Sequence, residues 1–348
     1  MMADAQGLRL TVRQEVILAR VVEEYVATGA PVGSKTLVAR AGLDVSASTV
    51  RNELAVLEEQ GLLMHPHTSA GRVPTETGYR FFVDRLLERL EPRPAELALD
   101  LSLAESQVDS ALRVTTEALA DLTHLLALVS APPLGTTIVR HVEVLLLQPH
   151  VVVVVVITST GSVTKRLFTF DEPVDAGLAE WAGEYLNETV AGLQLGARLL
   201  RNRLEDADLS ERERTFLDRL RPAFTDVLEA EDQTLYVGGT AGVLDEFRAD
   251  ELRTYRRLLE VLEHRAALLD LLRASLVSKR PFVRVGPDLV DSDLAGVALV
   301  GAPYGLRSRN LGTVSLVGPV RMDYVKAIAA VRSAAFELSR FVEELYED

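Results

Sequence analysis

The sequence predicts an α+β chain: a winged helix-turn-helix at the N-terminus, then an α/β domain on an antiparallel sheet, interrupted by a mostly helical insertion. Three observations predict it. Amphipathic helices and a short glycine-bounded helix stand in the first 60 residues, with two apolar segments pivoting on a glycine behind them. Uncharged strand-like runs recur in two groups, before residue 170 and after residue 281. A charged, mostly helical block at 205–275 separates those groups.

In the first element, Leu18, Val21, Val22 and Tyr25 recur at i, i+3, i+4 and i+7, one face of a helix that stops at Thr28-Gly29. Pro31-Val32-Gly33-Ser34 reads as a turn, with Ser34 as N-cap of a short helix, KTLVARA, that ends at Gly42. Ser46 caps a third helix that runs to Gln60, stops at Gly61 and buries Val50, Leu54 and Leu57. Helix, short helix, turn, helix is the order of a helix-turn-helix. LLMHPH and GRVPT then pivot on Ser69-Ala70-Gly71 as a small hairpin, the wing. A fourth helix, from about Thr75 to Leu90, carries Tyr79, Phe82, Val83, Leu86, Leu87 and Leu90 on one face, as the base of this domain or its exit.

Glu91-Pro92-Arg93-Pro94 cannot continue a helix and marks a boundary. The chain therefore divides into a winged-helix unit at 1–90, a linker at 91–97, the sheet domain at 98–204 and 276–348, and the insertion at 205–275. After the linker a helical stretch runs to about Val129, strands follow at 138–147, 151–158 and 163–170, and helices resume at 175–204. TLYVGGTAGVL interrupts the insertion. PFVRV, GVALVGAPY and GTVSLVG are strands that complete one antiparallel sheet with the earlier group. The last helix has Tyr324, Ile328, Val331, Ala335, Leu338, Val342 and Leu345 at alternating spacings of four and three, a stripe that serves either a dimer seam or packing on its own sheet.

With 348 residues, 48% of them hydrophobic, the chain can bury the cores of two or three domains. A net charge of -14 argues against nucleic acid as a partner of the whole surface. The total hides an asymmetry: residues 1–90 hold ten Lys and Arg against eleven Asp and Glu, a net of -1, which leaves -13 for the rest. A local basic edge near the N-terminus stays open. The absence of cysteine excludes disulfides, thiolate nucleophiles and thiolate metal sites, and fits a reducing, cytoplasmic setting. No apolar segment follows a basic start as in a secretory signal. The uncharged stretch Val144 to Thr164 is broken at Gln148-Pro149-His150 and closed by Thr158 to Ser162, so its six consecutive valines read as a buried strand rather than a membrane span.

Turning 100° per residue from the buried stripe of the third helix puts Ser48, Asn52 and Ala55 on the opposite face and Arg51 on its flank. Asn pairs bidentately with adenine, Arg with guanine, Ser with either kind of base edge, and Ala meets a thymine methyl. Ser46, Thr49 and the free amides of the first turn suit a phosphate. On the wing, His67, Thr68, Ser69, Arg72 and the Gly71 amide are donors that reach a backbone without bulk, and Gly71 allows a positive φ in a tight turn. Lys35, opening the second helix, is the remaining basic candidate. The competing readings are plain: Ser46 and Ser48 as helix caps only, and the helix-turn-helix as a protein contact. His65-Pro66-His67 lacks the further ligands a metal needs, so no metal or cofactor is expected.

LTVRQEVILARVVEEYVATGAPVGSKTLV, VSASTVRNELAVLEEQGLL and HTSAGRVPTETGYRFFVDRLL, with GAPYG at 301–305 and GPVRMDY at 318–324, resemble the heat-inducible transcription repressor HrcA family of bacteria. The resemblance is nearly continuous over about 80 N-terminal residues. It implies a dimeric repressor with a winged helix, a GAF-like domain and a dimerising domain inserted in the latter. It also implies an inverted-repeat operator on double-stranded DNA ahead of chaperone genes, and chaperonin as co-regulator. Val285-Gly286-Pro287-Asp288 and Leu299-Val300-Gly301-Ala302 depart from the family's usual residues, in strands of the GAF-like part.

Two other function classes are weighed beside repression. A metabolite-sensing regulator would use the GAF-like domain, and Gly238-Gly239-Thr240-Ala241-Gly242 invites a phosphate-loop reading, but the lysine of a Walker loop is missing and a turn fits better. An enzyme would need a catalytic constellation. The six histidines are scattered, GxSxG is absent, and the carboxylates sit on charged helices as solvated faces.

Overall fold

A computed structural model of the protein describes residues 9–40, 45–66, 71–91, 94, 108–132, 138–159, 163–195, 209–224, 235–240, 242, 252–263, 272, 280–289 and 296–347. The N-terminal winged helix begins with α1, Val12–Thr28, opened by a capping box in which Thr11 and Gln14 satisfy each other's amides and closed at Gly29. Its buried face is Ile17, Leu18, Val21 and Val22. Helix α2, Ser34–Arg40, takes Ser34 as its first residue rather than its cap, because the Gly33 carbonyl already accepts the Leu37 amide. Helix α3, Ala47–Glu59, is capped by Ser46 and buries Val50, Leu54 and Leu57, as the periodicity predicts. The wing strands β1, Leu63–Met64, and β2, Val73–Pro74, pair antiparallel, and α4, Glu76–Glu88, follows with Thr75 as N-cap.

Helix α4 lies close under the wing because residue 78 is glycine: a Cβ there would run into the Leu62 carbonyl oxygen. Thr75 bonds the same turn twice, through its amide to the Leu62 carbonyl at 3.1 Å and its hydroxyl to the Gly61 carbonyl at 2.6 Å. The outer turns of α4 carry Tyr79, whose ring lies 5.9 Å from that of Tyr324, and Arg80, which pairs with Asp288 at 2.7 Å. The Glu76 carboxylate accepts the Gly296 amide at 3.3 Å. The carboxylate of Asp288, one of the family departures, is thus used to dock the winged helix.

Helix α5, Val108–Thr123, ends where His124 takes a φ of 58°, and the chain turns at once into β3, Leu126–Ser130. Here the structure corrects the expected helix to Val129. LALVS is buried on every residue, so it shows no alternation to betray a strand. The last elements are β7, Leu235–Gly238; β8, Phe282–Val285; β9, Val297–Gly305; β10, Asn310–Pro319; and the terminal helix, Tyr324–Glu347. They form a five-stranded antiparallel sheet in the order β7-β3-β10-β9-β8. Helix α5 and the terminal helix cover one face, against Ala127, Val129, Ala298, Val300, Val314 and Leu316. Leu126, Leu128, Leu299 and Val317 point the other way, into a second cluster with Leu258 of the helix Leu252–Glu263.

The single sheet expected from the sequence is two sheets. Strands β4, Val139–Gln148, β5, Val151–Thr158, and β6, Val163–Thr169, pair only with one another, in the order β4-β5-β6. Helices Ala176–Val190 and Glu211–Leu220 pack on one face of this smaller sheet around Val142, Val154, Leu186, Phe216 and Leu217. Among the described residues of 205–275, the helix Glu211–Leu220 packs in the small-sheet layer, whereas β7 joins the edge of the large sheet beside β3. Burial separates the groups physically: β9 and β10 are closed on both faces, while β6 is at most half-buried throughout. Gly238 and Gly239 end β7 in a turn. No described helix is long and apolar enough to cross a membrane.

Gly78→Ala tests how tightly α4 is set. Overpacking against a backbone carbonyl costs about 1–3 kcal/mol, and the urea midpoint of the winged-helix transition is expected to fall accordingly.

Candidate nucleic-acid interface

The third helix presents its polar face as its buried stripe dictates. Ser48, Arg51 and Asn52 are exposed, and Ala55 is half-buried beside them. Arg51 on α3 and Lys35 on the first turn of α2 are both exposed. At the start of α3 the Ser46 hydroxyl accepts the Thr49 amide at 3.1 Å and lies 2.7 Å from the Ser48 hydroxyl and 2.9 Å from that of Thr49. Ser46, Ser48 and Thr49 are therefore one linked cap beside the free amides of the helix N-terminus. The positive end of the helix dipole makes that turn suitable for a phosphate.

Two contacts hold α3 on α1. The Glu53 carboxylate accepts Gln14 Nε2 at 3.0 Å and lies 3.6 Å from the Arg13 guanidinium. Neither partner is evident from the sequence, because Gln14 also serves the α1 capping box.

The wing differs from its sequence reading at Gly71. His67, Thr68 and Ser69 lie outside the described residues. Gly71 is described, and its φ is not positive; the backbone of Val32 stands 2.5 Å from where a Cβ would be, so close approach, not turn conformation, requires glycine. The backbones of Val32 and Arg72 then bond reciprocally, at 2.8 and 2.9 Å, and join the wing to the turn before α2.

The Arg72 side chain, read from sequence as a phosphate donor, is turned into the protein. Its Nη2 lies 2.7 Å from Glu58 Oε2, its Nη1 donates to His65 Nδ1 at 3.1 Å, and the side chain is 16% exposed. Glu58 went unnoticed in the sequence although a signal exists. It follows Arg51 by seven residues, within about 20° of the same azimuth on a helix of 3.6 residues per turn, on the flank of the exposed face, where Arg72 reaches it.

On the opposite side of the domain, burial raises the Asp84 carboxyl above its ordinary value, against the lowering pull of Arg80. Burial likewise raises the Tyr324 hydroxyl, which bonds the Val320 carbonyl at 2.7 Å. These groups belong to the docking face of α4, away from α3.

The HrcA protein C-terminal domain model matches residues 109–328. The heat-inducible transcription repressor HrcA of Parafrankia sp. is 37% identical over 346 residues, covering 96% of this chain and 98% of that one. This chain belongs to the HrcA family. The heat-inducible transcription repressor HrcA of Mycolicibacterium smegmatis is also 37% identical, over 93% of this chain and 95% of its own length. A crystal structure of a hypothetical protein superposes with a TM-score of 0.66 at 23% identity, over 97% of this chain and 100% of that chain, and shares the fold. Membership makes the chain a heat-inducible transcription repressor rather than an enzyme, and repression of transcription means contact with DNA.

Ser46→Ala removes the link in the α3 cap. Loss of an N-cap costs about 1 kcal/mol, expected as a lower urea midpoint for the winged helix. Leu57→Ala, from the fully buried stripe of the same helix, is expected to cost more, about 2–5 kcal/mol.

Proposed function

We propose that the protein represses chaperone genes by binding an inverted-repeat DNA operator as a homodimer, with chaperonin as co-regulator. The observation that carries the reading is the exposed face of α3, where Ser48, Arg51 and Asn52 stand beside a capped helix N-terminus within a winged helix. Asn52 reads a base edge in the major groove, and Arg51, Lys35 and the Ser46 cap hold phosphates or a guanine on either side. Each winged helix takes one half-site, since a two-fold dimer matches an inverted repeat. The setting is the cytoplasm, where the DNA lies.

A feature of the small sheet supports the dimer. Its outer face exposes Leu145 at 42%, Leu147 at 57%, Val163 at 60% and Leu167 at 62%, with Leu145, Val153 and Leu167 in register across the three strands. Contiguous exposed apolar surface of this kind marks an interaction site, and a second copy supplies the same apolar face in return. We accordingly assign the inserted dimerising unit to residues 138–224, which contain β4, β5, β6 and the two helices on their inner face, and the DNA-binding unit to residues 1–90.

Regulation follows the family's heat-inducible character. Free chaperonin returns repressor to its operator-competent form, and heat, which fills chaperonin with other clients, lowers the competent fraction. Adding chaperonin to the purified protein is expected to raise that fraction; an unchanged fraction removes this route.

Fluorescence anisotropy on a duplex carrying the inverted repeat ahead of the host's chaperone genes, against a scrambled duplex, tests the whole reading. Wild-type protein is expected to prefer the repeat by roughly three orders of magnitude, and Asn52→Ala to lose about 1–3 kcal/mol of that preference. Leu145→Asp with Leu167→Asp is expected to sediment as a monomer and bind both duplexes with similar weak affinity. Equal binding of both duplexes by wild type, chaperonin included, removes the operator reading.

A further inference from the structure

We propose that Arg72, Glu58 and His65 form a clamp that sets the position of the wing against α3, which makes Glu58 and Arg72 positioning residues for DNA reading. The inference rests on the reading of α3 and the wing as the DNA-binding surface. It assigns Arg72 a different task from the phosphate contact its sequence position suggests.

Arg72 is held on three sides. Its backbone is bonded in both directions to Val32, at 2.8 and 2.9 Å, in the turn between α1 and α2. The missing Cβ of Gly71 permits that approach. Its guanidinium then spans to Glu58 on α3 at 2.7 Å and to His65 Nδ1, on the outgoing arm of the hairpin, at 3.1 Å. His65 Nε2 completes the triangle 3.8 Å from Glu58 Oε2. Through backbone and side chain together, Arg72 thereby ties the α1–α2 turn, α3 and both arms of the wing.

The chemistry suits a joint better than a phosphate ligand. A guanidinium donates in a planar fork and serves two acceptors at fixed angles, whereas a lysine is a single point charge. With Glu58 and His65 served and the side chain 16% exposed, a phosphate has to displace a carboxylate that already supplies the counter-charge. The wing tip gains from this arrangement. Contacts from helix and wing fall on separate phosphates, and fixing their relative position before binding lowers the ordering cost of the complex.

The test uses full-length protein, the inverted-repeat and scrambled duplexes, and a salt series, with Glu58→Gln, Arg72→Gln, Arg72→Lys and the Glu58→Gln/Arg72→Gln double variant. In the absence of DNA, amide exchange at Val32 and Arg72 is expected to accelerate in each single variant while the Val21 and Val22 amides of α1 keep their protection. On DNA, each single variant is expected to lose roughly tenfold on the repeat and little on the scrambled duplex, with an unchanged salt slope; a phosphate ligand would lower the slope by about one. Arg72→Lys is expected not to rescue, and the double variant to bind no more weakly than the singles, because they remove one shared interaction. The clamp is overturned by any of three results: Arg72 variants that weaken both duplexes alike with a shallower salt slope, a Glu58→Gln protein that binds more tightly, or unchanged exchange at Val32 and Arg72. A wild-type protein that prefers neither duplex counts instead against the operator reading, and the exchange data then decide the clamp alone.

Discussion

Helix α4 has to satisfy two cores at once, and the remainder of the molecule is arranged around that constraint. Its inner face, with Tyr79, Phe82 and Val83 buried, closes the winged helix from below. Its N-terminal end meets the large sheet domain through the Tyr79–Tyr324 ring contact, the Arg80–Asp288 pair and the Glu76–Gly296 bond. A helix shared in this way cannot rotate to improve one contact without losing the other. The glycine at 78 is the condition for the arrangement, since only there does the helix approach the Leu62 backbone closely enough to bring Tyr79 into both layers. The position of α3 relative to the sheet domain is thus inherited from α4.

The two sheets meet different physical demands. In the large sheet, β10 is buried along nearly its whole length and sits between β3 and β9, with apolar clusters on both faces. Polar groups at its centre bond to neighbouring strands: the Ser130 hydroxyl accepts the Thr313 amide at 2.9 Å, and the Tyr304 hydroxyl donates to the Ser130 carbonyl at 2.7 Å, while the buried Ser315 hydroxyl has no partner among the described residues. Such a layer is a rigid platform. The small sheet has helices on one face only and keeps apolar residues on the other. The Asn187 side chain bonds both the amide and the carbonyl of Val142 and so closes part of the β4 edge.

The winged helix was legible because each of its helices is amphipathic and bounded by residues with local chemistry. Ser46 and Thr75 bond amides within their own first turns, and Val50, Leu54 and Leu57 fall on one side of α3. The break between α5 and β3 was not legible. It occurs at His124, whose positive φ no composition signals, and the strand beyond is apolar on both faces. Nor could the pattern assign strands to sheets. The partners of β10 include β3, which enters the chain before the small sheet and pairs Val129 with Val314, a connection that local periodicity does not encode. Within the candidate site, the azimuths of Ser48, Arg51 and Asn52 followed from counting residues. The engagement of Arg72 did not, because it depends on how far the wing folds over α3.

The cap of α3 has a consequence in the direction of its protons. Ser46, Ser48 and Thr49 bring three hydroxyl protons to two oxygen–oxygen contacts, at 2.7 and 2.9 Å, and the Ser46 oxygen is already an acceptor for the Thr49 amide. Each contact consumes one proton, so one is left over to point away from the cluster. The same count leaves three acceptor lone pairs unused, so the linked hydroxyls can meet a donor as well as an acceptor, and only the backbone amides beside them are fixed in sense. The start of the helix thus joins an adaptable hydroxyl cluster to a rigid row of donors.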